Sequence, residues 1–339
     1  MEEIAVVTGG AGFIGSHLVD LLLREGWRVR VLDNFSTGSS GNLLSSSDRL
    51  EVIEGDTRDE ALCRIVCQGA NSVFHLAAMA SVADSVADPI LAHEVNLTGT
   101  LHMLVAARDA DVRRFVFSSS ASVYGNAETI PTRESQAISP LSPYASQKAT
   151  GEFYCRNFHD LYGLETVILR YFNVFGPRQS AASGYAAAVP KFVQAAVADS
   201  TPIVFGDGHQ TRDFVYAGNV ALANLRAALA ENAMGQAFNI AGGDSISLLD
   251  LLMELRQITG SELQPEFRPT RAGDVRHSRA DISRARRILG YAPTVSLSEG
   301  LRCTVEEATA DVHVSAAAPA ALISTNFAGH PCGRDAVGK

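Results

Sequence analysis

Residues 142–148 read "SPYASQK", which sets Tyr144 four positions before Lys148. On a helix these positions share one face, so the phenol hydroxyl and the ammonium can approach a common point. A phenol with pKa about 10 is a poor base at neutral pH, and a neighbouring cation favours its phenolate. The pair could therefore move a proton. The same spacing also suits a solvated helix face, and the rest of the chain has to decide between the two.

A second group lies at the N-terminus, where "VVTGGAGFIGSH" places Gly9, Gly12 and Gly15 between an apolar run and a helical pattern. Glycines there permit a tight turn and close backbone approach to a pyrophosphate, while the helix N-terminus supplies N–H groups and positive dipole. Asp33 then ends the next apolar run, "RVRVLD". Its carboxylate can accept from adenosine ribose hydroxyls and would repel a 2′-phosphate, which favours NAD over NADP. The following "DNFSTGSSGN" contains no Arg or Lys to pair with such a phosphate.

The elements that position these groups alternate along the first half of the chain. Strand-like runs at 4–9, 28–33, 50–56, 72–78, 114–119 and 165–176 are separated by helical patterns near 13–25, 90–109 and 143–162. Short Val- and Ile-rich strands alternating with helices predict a doubly wound parallel sheet in an α/β fold. The second half reads as smaller and more helical, with helices near 186–199, 217–230, 247–259, 281–289 and 297–310 and short strands at 203–206, 237–240 and 265–268. From 311 to 339 the Ala-rich sequence has no sustained period and reads as a loose tail.

The 339 residues carry 46% hydrophobic and 19% charged side chains with a net charge of −9, which offers no general attraction to nucleic acid or an anionic membrane. Anionic ligands must be held locally. No apolar run is long enough to span a bilayer, the N-terminus has no signal-like segment, and the five scattered cysteines suit a reducing compartment. A cytoplasmic protein is expected. Cys63 and Cys67 share a helical spacing, but no second Cys/His cluster accompanies them and no metal is expected.

The strand "FVFSSSASVYG" puts three serines at 118–120, and "TGGAGFIGSH", "GD" at 55–56, "HLAA" at 75–78, "VN" at 95–96, "RYFNVFGPRQ" at 170–179, "TRDFVY" at 211–216 and "GDVRHSRADISRARRILGY" at 273–291 follow the same order. Over about residues 3–308 this resembles the extended short-chain dehydrogenase/reductase family, in particular its NAD-dependent UDP-sugar epimerases and dehydratases. The resemblance implies a Rossmann-type domain at 1–175, to which 213–245 returns, and a smaller α/β nucleotide-sugar domain from 176–212 and 246–310. It also implies roles for individual residues. Tyr144, Lys148 and Ser120 would be catalytic, Ser120 helping to relay the proton of the reacting sugar hydroxyl. Around NAD it places Gly9, Gly12, Phe13, Ile14, Gly15, Asp33, Asn34, Asp56, Thr57, Leu76, Ala77, Ala78, Asn96, Ser118, Tyr144, Lys148 and Phe172, with Asp56 on the adenine and Asn96 holding the loop near the pyrophosphate. Around the UDP-sugar it places Ala80, Ser81, Ser120, Tyr144, Asn173, Arg212, Arg271 and Ser278.

The reaction is narrowed by what is missing. Dehydratases and decarboxylases of the family resemble "STDEVYG" or "STSEVYG" here, whereas this chain has Ala121 and Ser122 at the acidic positions. Elimination of water needs that additional acid/base pair; oxidation and re-reduction of one sugar hydroxyl does not. Reversible 4-epimerisation is thus implied, with NAD as a resident catalyst. Arg212 and Arg271 would clamp the diphosphate through planar guanidinium donors. Ser278 stands where a bulky residue, often tyrosine, closes the pocket against a 2-acetamido group, which implies UDP-N-acetylglucosamine and its galacto epimer alongside UDP-glucose and UDP-galactose. An enzyme restricted to UDP-glucose or acting on UDP-glucuronate is the nearest alternative, and an NAD-sensing protein without activity is a more remote one. A homodimer is expected by resemblance, through the helices near 91–109 and 143–162.

Overall fold

The computed structural model describes residues 3–43, 47–181, 187–270 and 275–317. Its first half alternates as β1 (Ile4–Thr8), α1 (Phe13–Arg24), β2 (Arg28–Asp33), β3 (Leu50–Glu54), α2 (Glu60–Cys67), β4 (Ser72–His75), α3 (Val82–Ala87), α4 (Pro89–His93), α5 (Gly99–Asp109), β5 (Arg114–Ser120), α6 (Pro143–Tyr162) and β6 (Glu165–Tyr171). These strands join one parallel seven-stranded sheet in the order β11-β6-β5-β4-β1-β2-β3, completed at its edge by Gln236–Ile240, which is β11. The order β3-β2-β1-β4-β5-β6 is that of a Rossmann-type doubly wound sheet. Alternate side chains feed two cores. Val7, Val31 and Val116 pack on the face covered by α1, while Val6, Leu32, Phe115 and Phe117 pack toward α2 and α5.

The run at 165–176 divides where a single strand was expected. Phe172 N–H still bonds Ile240 O at the sheet edge, after which β7 (Asn173–Phe175) leaves to pair with β10 (Phe214–Tyr216). The expected helix at 90–109 is likewise interrupted. A π turn over Glu94–Thr98 joins α4 to α5, and α3 precedes it as a separate helix ended before Pro89.

Beyond β7 come α7 (Ala188–Val197), β8 (Ile203–Phe205), β9 (Thr211–Arg212), β10, α8 (Ala217–Leu229), β11, β12 (Ile246–Ser247), α9 (Leu248–Thr259), β13 (Glu266–Arg268), α10 (Ser283–Leu289) and α11 (Leu297–Ala317). Helix α8 lies against α1, whereas α7, α9 and the start of α11 enclose a third core of Phe192, Leu251, Leu255 and Leu301. The loose tail expected from residue 311 is corrected in part, because α11 continues to Ala317. Once a helix is nucleated each added residue costs little, so α11 runs on through 311–315 although strong helix formers return only at Ala316 and Ala317. The remaining tail, 318–339, lies outside the described residues. Among those described, no helix is long and apolar enough to cross a membrane.

Candidate active site

The glycine loop follows from packing as much as from ligand access. A Cβ on Gly15 would lie 2.0 Å from Gly9 O, and one on Gly9, which has φ +68°, would lie 2.8 Å from Ala77 N. Only glycine lets α1 approach β1 and β4 this closely. Gly12 is the N-cap of α1 and offers no side-chain cap, so the first turn at Phe13, Ile14 and Gly15 points its amides out of the C-terminal edge of the sheet. Asp33 is buried at the end of β2, where its carboxylate accepts from Ala11 N at 2.8 Å and Phe35 N at 2.8 Å. It thereby ties the second strand to the glycine loop, a function the sequence reading missed. Asn34 and Asp56 also meet: Asn34 donates to Asp56 at 2.7 Å, and the Arg58 guanidinium holds the Asp56 carboxyl down at about 2. Thr57 is buried beneath Gly99. This cradle fits a dinucleotide pyrophosphate and its adenosine.

Loop 76–81 is held from below by a chain of hydrogen bonds. Ala77 N donates to Thr8 Oγ1 at 3.2 Å, Thr8 Oγ1 is 2.8 Å from His75 Nδ1, His75 Nε2 is 2.9 Å from Thr100 Oγ1, and Thr100 donates to Asn96 O at 2.7 Å. The two fixed ends set the tautomer, since Thr100 gives its proton to a carbonyl and must accept from His75 Nε2–H. Asn96, turned inward by the π turn, then grips Met79 through both its N–H (2.7 Å) and its C=O (3.2 Å). Burial pushes the His75 imidazole down to about 3. Because the unfolded chain binds this proton from about pH 6.5 downward and the folded one does not, stability should fall as pH drops from 6.5 toward 3. The slope is at most about 1.4 kcal/mol per pH unit. Urea titrations between pH 7.5 and 5 would show it, and an unchanged slope in His75→Gln would refute the assignment.

Helix α6 presents the pair that opened the sequence reading. Ser142 caps it by accepting from Ala145 N at 3.2 Å, Pro143 occupies the first turn, and Gly163 closes it in the left-handed conformation at φ 75°. Gly151 lets the helix settle on the Phe117 ring of β5, where an added Cβ would stand 2.5 Å away. Lys148 is buried, donates to Ser118 O at 2.8 Å, and sits 5.9 Å from the centre of the Tyr144 ring. Burial holds its ammonium down at about 8. Burial also raises the Tyr144 phenol above its ordinary value, while a hydrogen bond with the Ser120 side chain pulls the other way. Ser120, Tyr144 and Lys148 thus converge at the sheet's C-terminal edge. Two supports escaped the sequence reading. Tyr144 N donates to Ser85 Oγ of α3 at 3.2 Å, and Ser118 Oγ is 3.0 Å from the Tyr171 hydroxyl, which also bonds Asn224.

On the far side of the edge, Asn173 donates to Asp213 O at 3.1 Å and Ser278 N donates to Thr211 O at 3.1 Å. Asn173, Arg212 and Ser278 are therefore neighbours around β9 and β10. Asp213 anchors this region by accepting from Gly242, Gly243 and Ala280 amides, and burial pushes its carboxyl up to about 6. Arg212 lines a cavity of about 390 Å³ with Phe175, Phe214 and Tyr216. Ser81 caps α3 by accepting from Asp84 N at 3.1 Å, leaving Ala80 exposed beside it. Phe172 is buried in the core against Tyr124. Arg271 lies outside the described residues. Cys63 and Cys67 are buried thiols raised to about 12 by burial, and no metal-binding cluster occurs among the described residues.

A sequence model described as "NAD dependent epimerase/dehydratase family" matches residues 5–241. The chain belongs to that family. NAD is its cofactor, and the protein is an NAD-dependent epimerase of the extended short-chain dehydrogenase/reductase type. It is 43% identical over 305 residues to a UDP-glucose 4-epimerase of Mycolicibacterium smegmatis, covering 89% of this chain and 97% of that one. A UDP-N-acetylglucosamine 4-epimerase from Methanobrevibacter ruminantium, solved with UDP-N-acetylmuramic acid, superposes with a TM-score of 0.88 at 39% identity, covering 92% of this chain and 100% of the other. A UDP-glucose 4-epimerase from Thermus thermophilus in complex with NAD gives 0.80 at 36% identity, with 90% and 98% covered. The epimerase fold thus extends over nearly the whole described chain.

Proposed function

We propose that this family member is a UDP-hexose 4-epimerase that accepts UDP-N-acetylglucosamine and UDP-N-acetylgalactosamine as well as UDP-glucose and UDP-galactose. The observation that carries this reading is the convergence of Ser120, Tyr144 and Lys148 at the glycine-loop edge, with Ala121 and Ser122 where a dehydrating site needs acids. NAD, when bound, supplies a hydride acceptor and donor for the sugar C4. The chain's own residues do the rest: Tyr144 exchanges the proton of the 4-hydroxyl, Ser120 steadies it, and Lys148 holds the strand through Ser118 O. Asn173, Arg212 and Arg271 hold the diphosphate, so binding energy is concentrated away from the reacting ring, which has to present both faces. Ser278 leaves room for an acetamido group. A homodimer is part of the same proposal, supported by Phe153 and Leu161 of α6, which are 50% and 73% exposed.

Purified protein should release NAD on denaturation and interconvert each UDP-sugar pair without net NADH. Ser278→Tyr should lower kcat/KM for UDP-N-acetylglucosamine by about five- to 150-fold, because filling a close-packed pocket costs about 1–3 kcal/mol. Turnover of UDP-galactose should largely survive. Chromatography of the four products checks this, and an equal loss on both substrates would make Ser278 a packing residue only.

A further inference from the structure

On the α6 side of β5, one helical turn beyond Lys148, lies a buried polar cluster with no part in the proposed proton exchange. One rung of the sheet aligns Ser119 of β5 with Arg170 of β6 and Asn239 of β11. Glu152 of α6 reaches this rung from one turn beyond Lys148, and its carboxylate accepts from Ser119 Oγ at 2.6 Å and from Arg170 at 2.8 and 2.6 Å. Arg170 also donates to Tyr124 OH at 2.8 Å, and Tyr124 donates to Asn239 Oδ1 at 2.6 Å. All five side chains are at most 2% exposed. The line continues outward. Asn239 Nδ2 donates to Thr132 O at 2.9 Å, Thr132 N to Arg279 O at 2.8 Å, and Asp281 N to Thr132 O at 2.9 Å, which fixes the segment carrying Ser278.

We propose that Glu152 and Arg170 are positioning residues for epimerisation, a buried strut that sets the spacing between Ser120 and the Tyr144/Lys148 face and links it to the Ser278 wall. The inference rests on the catalytic reading of those residues. Tyr144, Lys148 and Glu152 occupy i, i+4 and i+8 of one helix, so all three leave the same face. The forked guanidinium holds Glu152 at two oxygens, which fixes rotation of α6 as well as its distance from β6. Ser119 lies between Ser118, whose carbonyl accepts from Lys148, and Ser120, so the bond to Glu152 fixes the strand from the same α6 side, on the face opposite the Ser118 and Ser120 side chains. A buried pair of this kind adds little net stability against an apolar pair of similar volume. Its retention is explained by geometry.

The test compares Glu152→Gln with the double variant Glu152→Leu/Arg170→Met, which removes both buried charges; Arg156, the remaining partner of Glu152, is partly exposed and can turn to solvent. Both should lose about tenfold or more in kcat, since small misplacements of reacting groups are costly. KM for the UDP-sugar and bound NAD should stay within about twofold of the parent, and Arg170→Lys should fall between. If Glu152→Gln does not fold, the double variant decides. Parent kcat in a folded double variant, or a loss confined to KM, would overturn the proposal. A parent protein that retains NAD but turns over no UDP-sugar overturns the substrate reading alone. The strut is then read from a crystal structure of the double variant, in which Ser120 should move against Tyr144 by about 0.5 Å or more; unchanged spacing would refute it.

Discussion

Tyr144→Phe should lower kcat by at least about 10²-fold, the usual loss on deleting a positioned acid/base group. The substitution removes one oxygen and leaves the ring, so Lys148 keeps its bond to Ser118 O and the α6 cap at Ser142 is untouched. NAD content and melting temperature should therefore match the parent. The phenol is raised by burial, so proton exchange depends on the Ser120 hydroxyl and on positive charge placed beside it. Lys148→Met should also reduce the rate, and its loss should be partial if the cofactor's charge still acts. Steady-state epimerisation of UDP-galactose, with NAD measured on the same preparations, checks both. Near-parent turnover in Tyr144→Phe would remove the phenol from the mechanism.

Gly15→Ala should weaken the hold on NAD, although it adds a single methyl group. That carbon would stand 2.0 Å from Gly9 O and 2.8 Å from Gly10 Cα, both backbone atoms that cannot rotate away. Overpacking a core costs about 1–3 kcal/mol, and here relief requires α1 to slide off β1. The amides at Phe13, Ile14 and Gly15 move with it. At about 1.4 kcal/mol per factor of ten, a cost of this size lowers NAD affinity by about five- to 150-fold, together with a lower melting temperature. Stoichiometric NAD with an unchanged melting curve would show that the loop does not depend on this contact.

What the sequence determined by itself was local. Gly9, Gly12 and Gly15 after an apolar run, Asp33 at the end of the next, and Tyr144 four before Lys148 are spacings within one turn or one helix, where covalent geometry sets which atoms can meet. Alternating strand and helix patterns were enough for the doubly wound sheet, because each period is set by a few neighbouring residues. The division of the run at Phe172 has a tertiary cause, since the run itself does not say which sheet each part will join.

Tertiary structure alone decided how those groups are held. Ser85 meets Tyr144 across 59 residues, Tyr171 meets Ser118 across 53, and Asn239 meets Tyr124 across 115. Nothing in the spacing of these residues marks them as partners. They meet because parallel pairing of β5, β6 and β11 sets Ser119, Arg170 and Asn239 on one rung, and α6 packs close enough for Glu152 to join them. A shift of one residue in that register would turn each side chain to the opposite face of the sheet. Sequence supplied the candidate reacting groups through short-range geometry, whereas their spacing depends on long-range register that no single segment encodes.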